Sequence, residues 1–83
     1  MADRMTLEII TPEKVLFKGE ADSVRLPGKK APFVVLRNHA PLISVLDRGV
    51  VAWKSDGGED NVEISGGFAE VFDNNVTVCV ELP

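Results

Sequence analysis

The sequence predicts an all-β domain, a flattened β-sandwich or barrel of eight to ten short antiparallel strands. Three observations predict it. Apolar and polar residues alternate with a period of two, most clearly over residues 76–82. Turn-forming residues recur every six to ten positions. No window of helical length keeps the i, i+3, i+4, i+7 spacing, because glycine or proline interrupts it or the pattern alternates instead.

The first part of the chain is predicted to hold extended segments separated by turn residues. The extended segments are predicted at residues 5–9, 15–17 and 20–26. The breaks between them are predicted at Thr11-Pro12-Glu13 and at Lys18-Gly19. In the third segment, Asp22 and Arg25 must face water because the flanking positions are apolar.

The middle of the chain is unusually apolar. Pro27-Gly28 fits the two central positions of a type II turn, which places Lys29 and Lys30 at or just after its tip. Residues 33–36 are apolar at every position, and residues 42–46 nearly so. Strands of this kind can be buried on both faces. Either the middle of the chain lies deep in the sandwich, or a partner covers an outer face.

Three turns divide the second part of the chain. Asp56-Gly57-Gly58 is the strongest hairpin signal, because Asp-Gly tolerates the positive φ angles of a primed turn. Gly66-Gly67 predicts a glycine bulge where one strand bends between sheets. Asp73-Asn74-Asn75 predicts the turn before the last strand. No repeat or linker interrupts the chain, so one domain is predicted over residues 1–83.

Composition argues against several classes of protein. Thirteen acidic and nine basic side chains give a net charge of −4, which opposes phosphate attraction, so no nucleic-acid partner is expected. The sequence contains neither a signal-peptide pattern nor about 20 consecutive apolar residues, so direct membrane insertion is not expected. A single cysteine excludes an intramolecular disulfide and fits a reducing, cytoplasmic setting.

His39 is the one histidine and has three open roles. It is a corner residue whose imidazole binds backbone, a contact for a partner, or a catalytic base. Catalysis would also need a nucleophile and an orienting acid, and the spacing offers no support for either. Cys79 lies mid-strand among valines, as a small buried thiol does. Without a second histidine or a cysteine pair, neither a metal nor another cofactor is expected.

Several motifs follow one another in a family-like order over nearly the whole chain. The most specific are HAPLI at residues 39–43, SGGFAEV at residues 65–71 and NNVTV at residues 74–78. Others are LEIITPE at residues 7–13, VLFKGEA at residues 15–21 and LPG at residues 26–28. Together they resemble the N-terminal domain of the epsilon subunit of rotary F-type ATP synthases.

The resemblance implies a β-sandwich of about ten strands on the central rotor stalk. Such a subunit links the gamma subunit to the membrane c ring and couples proton transport to ATP synthesis, with no bond chemistry of its own. It would lie at the cytoplasmic face of the bacterial plasma membrane, held there through the complex. By position, the expected gamma contacts are Thr11, His39 and Ser44. The expected c-ring contacts are Gly28, Lys29, Lys30, Ala31 and Pro32.

The sequence departs from the family pattern in three places. The family usually carries small and acidic residues after Pro27-Gly28, whereas this chain reads KKAPFVV, so its lysines would pair with ring carboxylates. Arg37-Asn38 replaces a Pro-Gly pair, and Asn38 can supply the left-handed conformation of that glycine. Family members commonly continue into a C-terminal helical hairpin. This sequence ends at Pro83, so neither inhibition by that hairpin nor nucleotide binding is expected.

Two other classes of protein stay open as alternatives. A lipoyl- or biotinyl-type carrier would bear its cofactor on Lys54, but this lysine precedes the Asp56-Gly57 turn and lacks flanking methionines. An oligosaccharide-binding module would need more aromatic stacking surface than one tryptophan and no tyrosine provide.

Overall fold

The computed structural model describes residues 4–83 and confirms the predicted all-β sandwich. The nine strands found there are β1 (Met5–Ile10), β2 (Val15–Ala21), β3 (Ser23–Leu26), β4 (Phe33–Leu36), β5 (Leu42–Leu46), β6 (Gly49–Ser55), β7 (Gly58–Ile64), β8 (Gly66–Phe72) and β9 (Asn75–Glu81). They form a five-stranded sheet in the order β2-β1-β9-β8-β5 and a four-stranded sheet in the order β4-β3-β6-β7. Residues 4–83 include no helix long and apolar enough to cross a membrane.

One strand pair differs from the predicted antiparallel arrangement. β1 and β9 run parallel in the middle of the five-stranded sheet, and the other six pairings are antiparallel. The chain passes through the second sheet between these two strands, and such a long connection permits a parallel neighbour where a tight hairpin would not. The first and last strands therefore bind each other directly.

The core lies between the sheets and follows the period-two alternation. On β1, Met5, Leu7 and Ile9 are buried, and Val78 and its alternate neighbours on β9 are buried beside them. The Phe17 ring packs against the buried Trp53 ring with centroids 4.9 Å apart. Within residues 4–83 every buried side chain is apolar. Burial of these side chains stabilises the sandwich.

β2 runs through the predicted break at Lys18-Gly19. Lys18 lies opposite Glu8 and Gly19 opposite Leu7, so hydrogen bonding with β1 continues across both positions. A Cβ on Gly19 would lie 3.1 Å from the Phe17 ring, so the glycine makes room for that ring. The predicted break is therefore wrong, because sheet pairing and ring packing override a weak local turn signal.

The chain instead leaves the first sheet at Asp22, between β2 and β3. The Asp22 N–H donates to the Lys54 carbonyl at 2.7 Å, which ties this crossing to β6. Asp22 and Arg25 are both exposed, as predicted.

Pro27-Gly28 does not form the predicted type II turn. Gly28 is not among the glycines with positive φ, and it forms a bridge to Leu46. The Lys29 N–H donates to the Val45 carbonyl at 2.9 Å, and the Asp47 N–H donates to the Pro27 carbonyl at 2.8 Å. These bonds hold residues 27–29 along the end of β5. The Gly28 N–H also donates to the Leu26 carbonyl at 3.0 Å, which makes a three-residue turn centred on Pro27, and the chain bends again at residues 29–31.

The primed turn lies at a different hairpin from the predicted one. Asp73 and Asn74 have φ angles of 51° and 63°, as a type I′ turn between β8 and β9 requires. Asp56 and Gly57 do form the turn between β6 and β7, but the positive φ of 116° falls on Gly58. The predicted primed conformation at Asp56-Gly57 is therefore wrong, since the residue after the turn takes the left-handed backbone.

Gly66-Gly67 marks the crossing from the second sheet back to the first. Gly66 pairs with Glu81 and Gly67 with Val80 in continuous register, so the predicted bulge is absent from this pairing. Gly67 has a φ of 149°. A Cβ on Gly67 would lie 2.1 Å from the Cys79 carbonyl oxygen, so the two backbones approach too closely here for a side chain.

Candidate interaction surface

The outer face of the five-stranded sheet carries an apolar row that crosses all five strands. In order from β5 to β2, the members of this apolar row are Val45, Phe68, Cys79, Ile10 and Val15. Each is the direct cross-strand partner of the next. Val45, Phe68 and Val15 are 58%, 49% and 54% exposed. A contiguous apolar strip on an outer face is typical of a surface that binds another protein.

Strand register produces the row. Directly paired residues point to the same face of a sheet, so five paired positions align across the strands. A register shift between Ile9 and Ile10 brings Val15 opposite Ile10 and extends the row onto the edge strand. The adjoining row is mixed, and Ile43, 74% exposed, is its apolar member beside Val45.

Cys79 was predicted to be a buried thiol, and this prediction is wrong. The side chain is half-buried and free, and it lies in the apolar row. Val78 and Val80 are buried, so the period of two turns Cys79 to the opposite, outer face.

One groove borders the row near Thr11. This sheet groove has a volume of about 470 Å³. Its lining residues are Ile10, Thr11, Pro12, Gly67, Phe68, Cys79, Val80 and Glu81. The half-buried Thr11 accepts hydrogen bonds at Oγ1 from the N–H groups of Glu13 and Lys14, at 3.2 and 3.1 Å. Thr11 thus fixes the β1–β2 turn at the rim of the groove.

A second groove lies between β5 and the β3–β4 connection. This loop groove has a volume of about 670 Å³. Its lining residues are Gly28, Lys29, Lys30, Ala31, Pro32, Phe33, His39, Leu42, Ile43, Ser44 and Val45. It contains all five predicted c-ring residues together with His39 and Ser44, two of the predicted gamma contacts. Thr11 lies apart, in the sheet groove.

The two grooves meet at the paired residues Val45 and Phe68. Val45 lines the loop groove and Phe68 lines the sheet groove. All the residues singled out as contacts from the sequence therefore border one continuous surface.

His39 occupies a corner between β4 and β5. It is half-buried, and its Nδ1 lies 2.7 Å from the Ala40 carbonyl oxygen. A carbonyl only accepts, so Nδ1 carries the proton and donates. Asn38, just before it, has a φ of 64°, which confirms the expected left-handed conformation. This geometry agrees with the corner role and leaves the Nε2 side of the ring for an interface.

Ser44, Lys29 and Lys30 differ in the contacts that they make within the domain. The half-buried Ser44 donates from Oγ to the Val45 carbonyl at 3.2 Å. Lys29 and Lys30 are exposed, and within residues 4–83 neither makes an ion pair. Arg4, in contrast, pairs with Asp56 and Glu20, whose hydrogen bonds raise the pKa of its guanidinium. The lysine charges at the rim of the loop groove remain available to an anionic partner.

The geometry around Lys54 does not suit a carrier domain. Lys54 lies within β6, opposite Ser23 and Glu59, and its Nζ is 3.8 Å from Glu59 Oε2. A carrier lysine has to project from a hairpin tip, and here Asp56 and Gly57 occupy the tip. In the described part of the chain, no three His, Cys, Asp or Glu side chains are grouped so as to hold a metal ion.

Most residues of the apolar row could not be predicted from the sequence. Val45, Phe68, Ile10 and Val15 were not singled out as contacts, because a single strand gives no sign of which residues neighbour it on the same face. The available signal was the apolar character of both faces in residues 33–36 and 42–46. Val34, Leu36, Ile43 and Val45 are all exposed, so this chain leaves part of that surface uncovered.

The fold and the surface define a β-sandwich domain with an exposed apolar row bordered by two grooves, as is typical of a domain that binds another protein. Residues 4–82 match the family described as the ATP synthase, Delta/Epsilon chain, beta-sandwich domain. The chain belongs to this family, which leaves the carrier and oligosaccharide-binding alternatives without support.

Known relatives agree with the family and the fold. The chain is 40% identical over 80 residues to the ATP synthase epsilon chain of Leptospira borgpetersenii, covering 96% of this chain and 63% of that one. The chain spans about 60% of the length of the curated relatives that it matches.

Two solved structures share the fold. One is from the mitochondrial ATP synthase OSCP/F1/c-ring of Euglena gracilis, with a TM-score of 0.88 and 22% identity, covering 96% of this chain and 52% of the other. The second is from the central stalk/c-ring of the Tetrahymena thermophila mitochondrial ATP synthase, with a TM-score of 0.78 and 18% identity, covering 93% and 63%.

Proposed function

We propose that this β-sandwich is a non-catalytic rotor component of an F-type ATP synthase, which binds the gamma subunit and links it to the membrane c ring. In this role it transmits rotation and couples proton transport to ATP synthesis without performing bond chemistry. Membership of the delta/epsilon family supports the assignment. The observation that carries it is the apolar row, since each of the five strands contributes one residue to a strip that this chain leaves largely exposed.

The gamma subunit is the proposed partner of the apolar row. Val45 and Phe68 lie at its β5 end, where the two grooves meet, and they supply large apolar contacts from which water would be excluded when a partner binds. Thr11 lies beyond Phe68 in the sheet groove, and His39 and Ser44 lie beyond Val45 in the loop groove. These three polar residues thus line the two grooves next to the row, as contacts at the rim of an interface do. Ser44 pairs with the buried Ala69, so its side chain points to the opposite face of β5 from Val45, and its proposed contact is at the β5 edge of the sheet.

The loop at residues 28–32 is the proposed contact with the c ring. Its first residues are held to β5 by the Gly28–Leu46 bridge and the Lys29 N–H bond to Val45. A Cβ on Gly28 would lie 2.5 Å from the Ala31 carbonyl oxygen, so the loop is folded tightly on itself. Lys29 and Lys30 are presented on this fixed loop, and carboxylates on the ring are their proposed partners.

The proposed location follows from these partners. The domain lies at the cytoplasmic face of the bacterial plasma membrane and is held there through the assembled enzyme. The bacterial origin of the curated relatives supports this location.

Calorimetry of this domain with the gamma subunit of the same organism tests the proposal. A one-to-one complex is expected. Val45→Asp should weaken it by at least about tenfold, because a buried unpaired carboxylate is costly. Val34→Asp is the matched control, since Val34 is a 45% exposed valine on the short edge strand of the other sheet. No complex from two folded proteins would refute the proposal, and equal losses in both variants would refute the assigned face.

A further inference from the structure

Two asparagine side chains join the His39 corner to the β8–β9 hairpin. The Asn38 N–H donates to Asn74 Oδ1 at 2.6 Å, and Asn74 Nδ2 donates to Asn38 Oδ1 at 3.1 Å. The two residues are 36 positions apart in sequence. Asn38 lies in the connection between β4 and β5, and Asn74 lies in the turn between β8 and β9. A reciprocal pair of this kind fixes both the distance and the orientation between two turns.

The backbone makes this pair possible. Asn38 and Asn74 both have left-handed φ angles, of 64° and 63°. The Asn74 carbonyl accepts a hydrogen bond from the Thr6 N–H at 2.9 Å, which anchors the hairpin to the interior strand β1. Asn74 therefore connects the corner to an interior strand of the five-stranded sheet.

Residues 38–41 form the His39 corner. Apart from the bonds to Asn74, the hydrogen bonds of this corner are local. The His39 N–H donates to the Leu36 carbonyl at 3.2 Å, and His39 Nδ1 donates to the Ala40 carbonyl at 2.7 Å. Both bonds stay within the corner or the end of β4. Of the hydrogen bonds made by residues 38–41, the two to Asn74 are the ones that reach a distant element.

We propose that Asn74 is a positioning residue for the interface, which holds the His39 corner in place at the end of the loop groove. It acts through Asn38 and makes no contact with the partner itself. The inference rests on the proposed function, because it assigns His39 to the interface with the gamma subunit. Without the asparagine pair, the corner is held only by its local hydrogen bonds and by the flanking strands β4 and β5, and His39 has to be ordered when the partner binds.

Asn74→Gly separates this role from the stability of the turn. Asp-Gly is a favoured type I′ sequence, so the variant keeps the left-handed conformation of the hairpin and loses only the side-chain pair. Asn74→Asp keeps an oxygen acceptor for the Asn38 N–H and loses the donor to Asn38 Oδ1. Asp73→Asn is the matched control, because it changes the neighbouring residue of the same turn, whose φ is 51°.

For each variant of the 83-residue chain, the experiment measures affinity for the gamma subunit by calorimetry and stability by thermal unfolding. Asn74→Gly should weaken binding about three- to tenfold, as expected for two hydrogen bonds of modest net value, with little change in melting temperature. Asn74→Asp should lie between this variant and the original chain, and Asp73→Asn should bind normally. In NMR spectra of the free domain, Asn74→Gly should shift the signals of the Asn38 amide and the His39 ring.

A double variant gives the sharpest test. Asn38→Gly keeps the left-handed backbone and removes Oδ1, so adding it to Asn74→Gly should cost little further affinity if both residues act through one pair. If Asn74→Gly binds gamma as tightly as the original chain, the inference is wrong while the proposed function stands. If the original chain itself fails to bind gamma, the proposed function is wrong and the inference falls with it.

Discussion

The backbone of Gly67 passes so close to that of Cys79 that a Cβ at position 67 would lie 2.1 Å from the Cys79 carbonyl oxygen. The same atom would lie 2.9 Å from the Cα of Val80. Gly67 combines this contact with a φ of 149°, which side chains rarely adopt. The chain crosses between the two sheets next to the apolar row, because the residue after Gly67 is Phe68, a member of that row.

Gly67→Ala should destabilise the domain by about 2 to 4 kcal/mol, because the backbone has to move or strain to admit one methyl group. For a domain of this size, the melting temperature should fall by about 10 °C or more. Gly67→Glu should leave it unfolded. Gly66→Ala is the adjacent control, since its Cβ would lie 3.8 Å from its nearest neighbour and should be tolerated. Similar melting temperatures for the two alanine variants would contradict this account of the crossing.

Cys79 reports directly on whether a partner covers the apolar row. Its half-buried thiol should react with a maleimide in the free domain and at least about tenfold more slowly in the complex with gamma, because the row is then shielded from solvent. Ala52→Cys in a Cys79→Ser background is the control. Ala52 is half-buried on the outer face of the other sheet, so its labelling should not change. Undiminished labelling of Cys79 in the complex would place gamma elsewhere.

Removing both rim charges in Lys29→Ala/Lys30→Ala should weaken binding of the domain–gamma complex to the purified c ring. The expected loss is about two- to tenfold at low salt, because exposed ion pairs are individually weak and are screened by salt. Lys14→Ala/Lys54→Ala makes the same change in net charge away from the loop groove and should have less effect. A ring affinity that is insensitive to salt and to both variants would argue against lysine–carboxylate contacts.

His39→Ala should weaken binding to gamma more than it lowers stability. The imidazole is half-buried and its Nδ1 hydrogen bond reaches only the adjacent Ala40 carbonyl, so its removal leaves the sheets intact. Calorimetry and thermal unfolding of the same variant separate the two effects. Normal gamma affinity with a large fall in melting temperature would assign His39 a purely structural role.

Local signals predicted many elements of the fold correctly. The alternation on the last strand gives β9, where Val76, Val78 and Val80 are buried as a period of two requires. Thr11-Pro12-Glu13 ends β1, and the left-handed Asn38 follows from the tolerance of asparagine for that backbone. These features depend on residues close together in sequence, so the sequence carries their physical cause.

Local signals failed where distant backbone decided the outcome. Gly19 looked like a break, but pairing with Leu7 and the packing of Phe17 keep it inside β2. Pro27-Gly28 looked like a type II turn, but hydrogen bonds tie residues 27–29 to the end of β5 instead. The pair of left-handed residues expected at Asp56-Gly57 is found instead at Asp73-Asn74, where the side chain of Asn74 binds Asn38.

The all-β class, the positions of most turns and the family to which the chain belongs could be predicted from the amino-acid sequence, because they depend on residue types at short spacing and on motifs in order. The apolar row of Val45, Phe68, Cys79, Ile10 and Val15 could not, because that alignment depends on strand order, register and one register shift in the folded domain. A strand specifies which of its side chains alternate, but the neighbours that complete a surface come from distant parts of the chain.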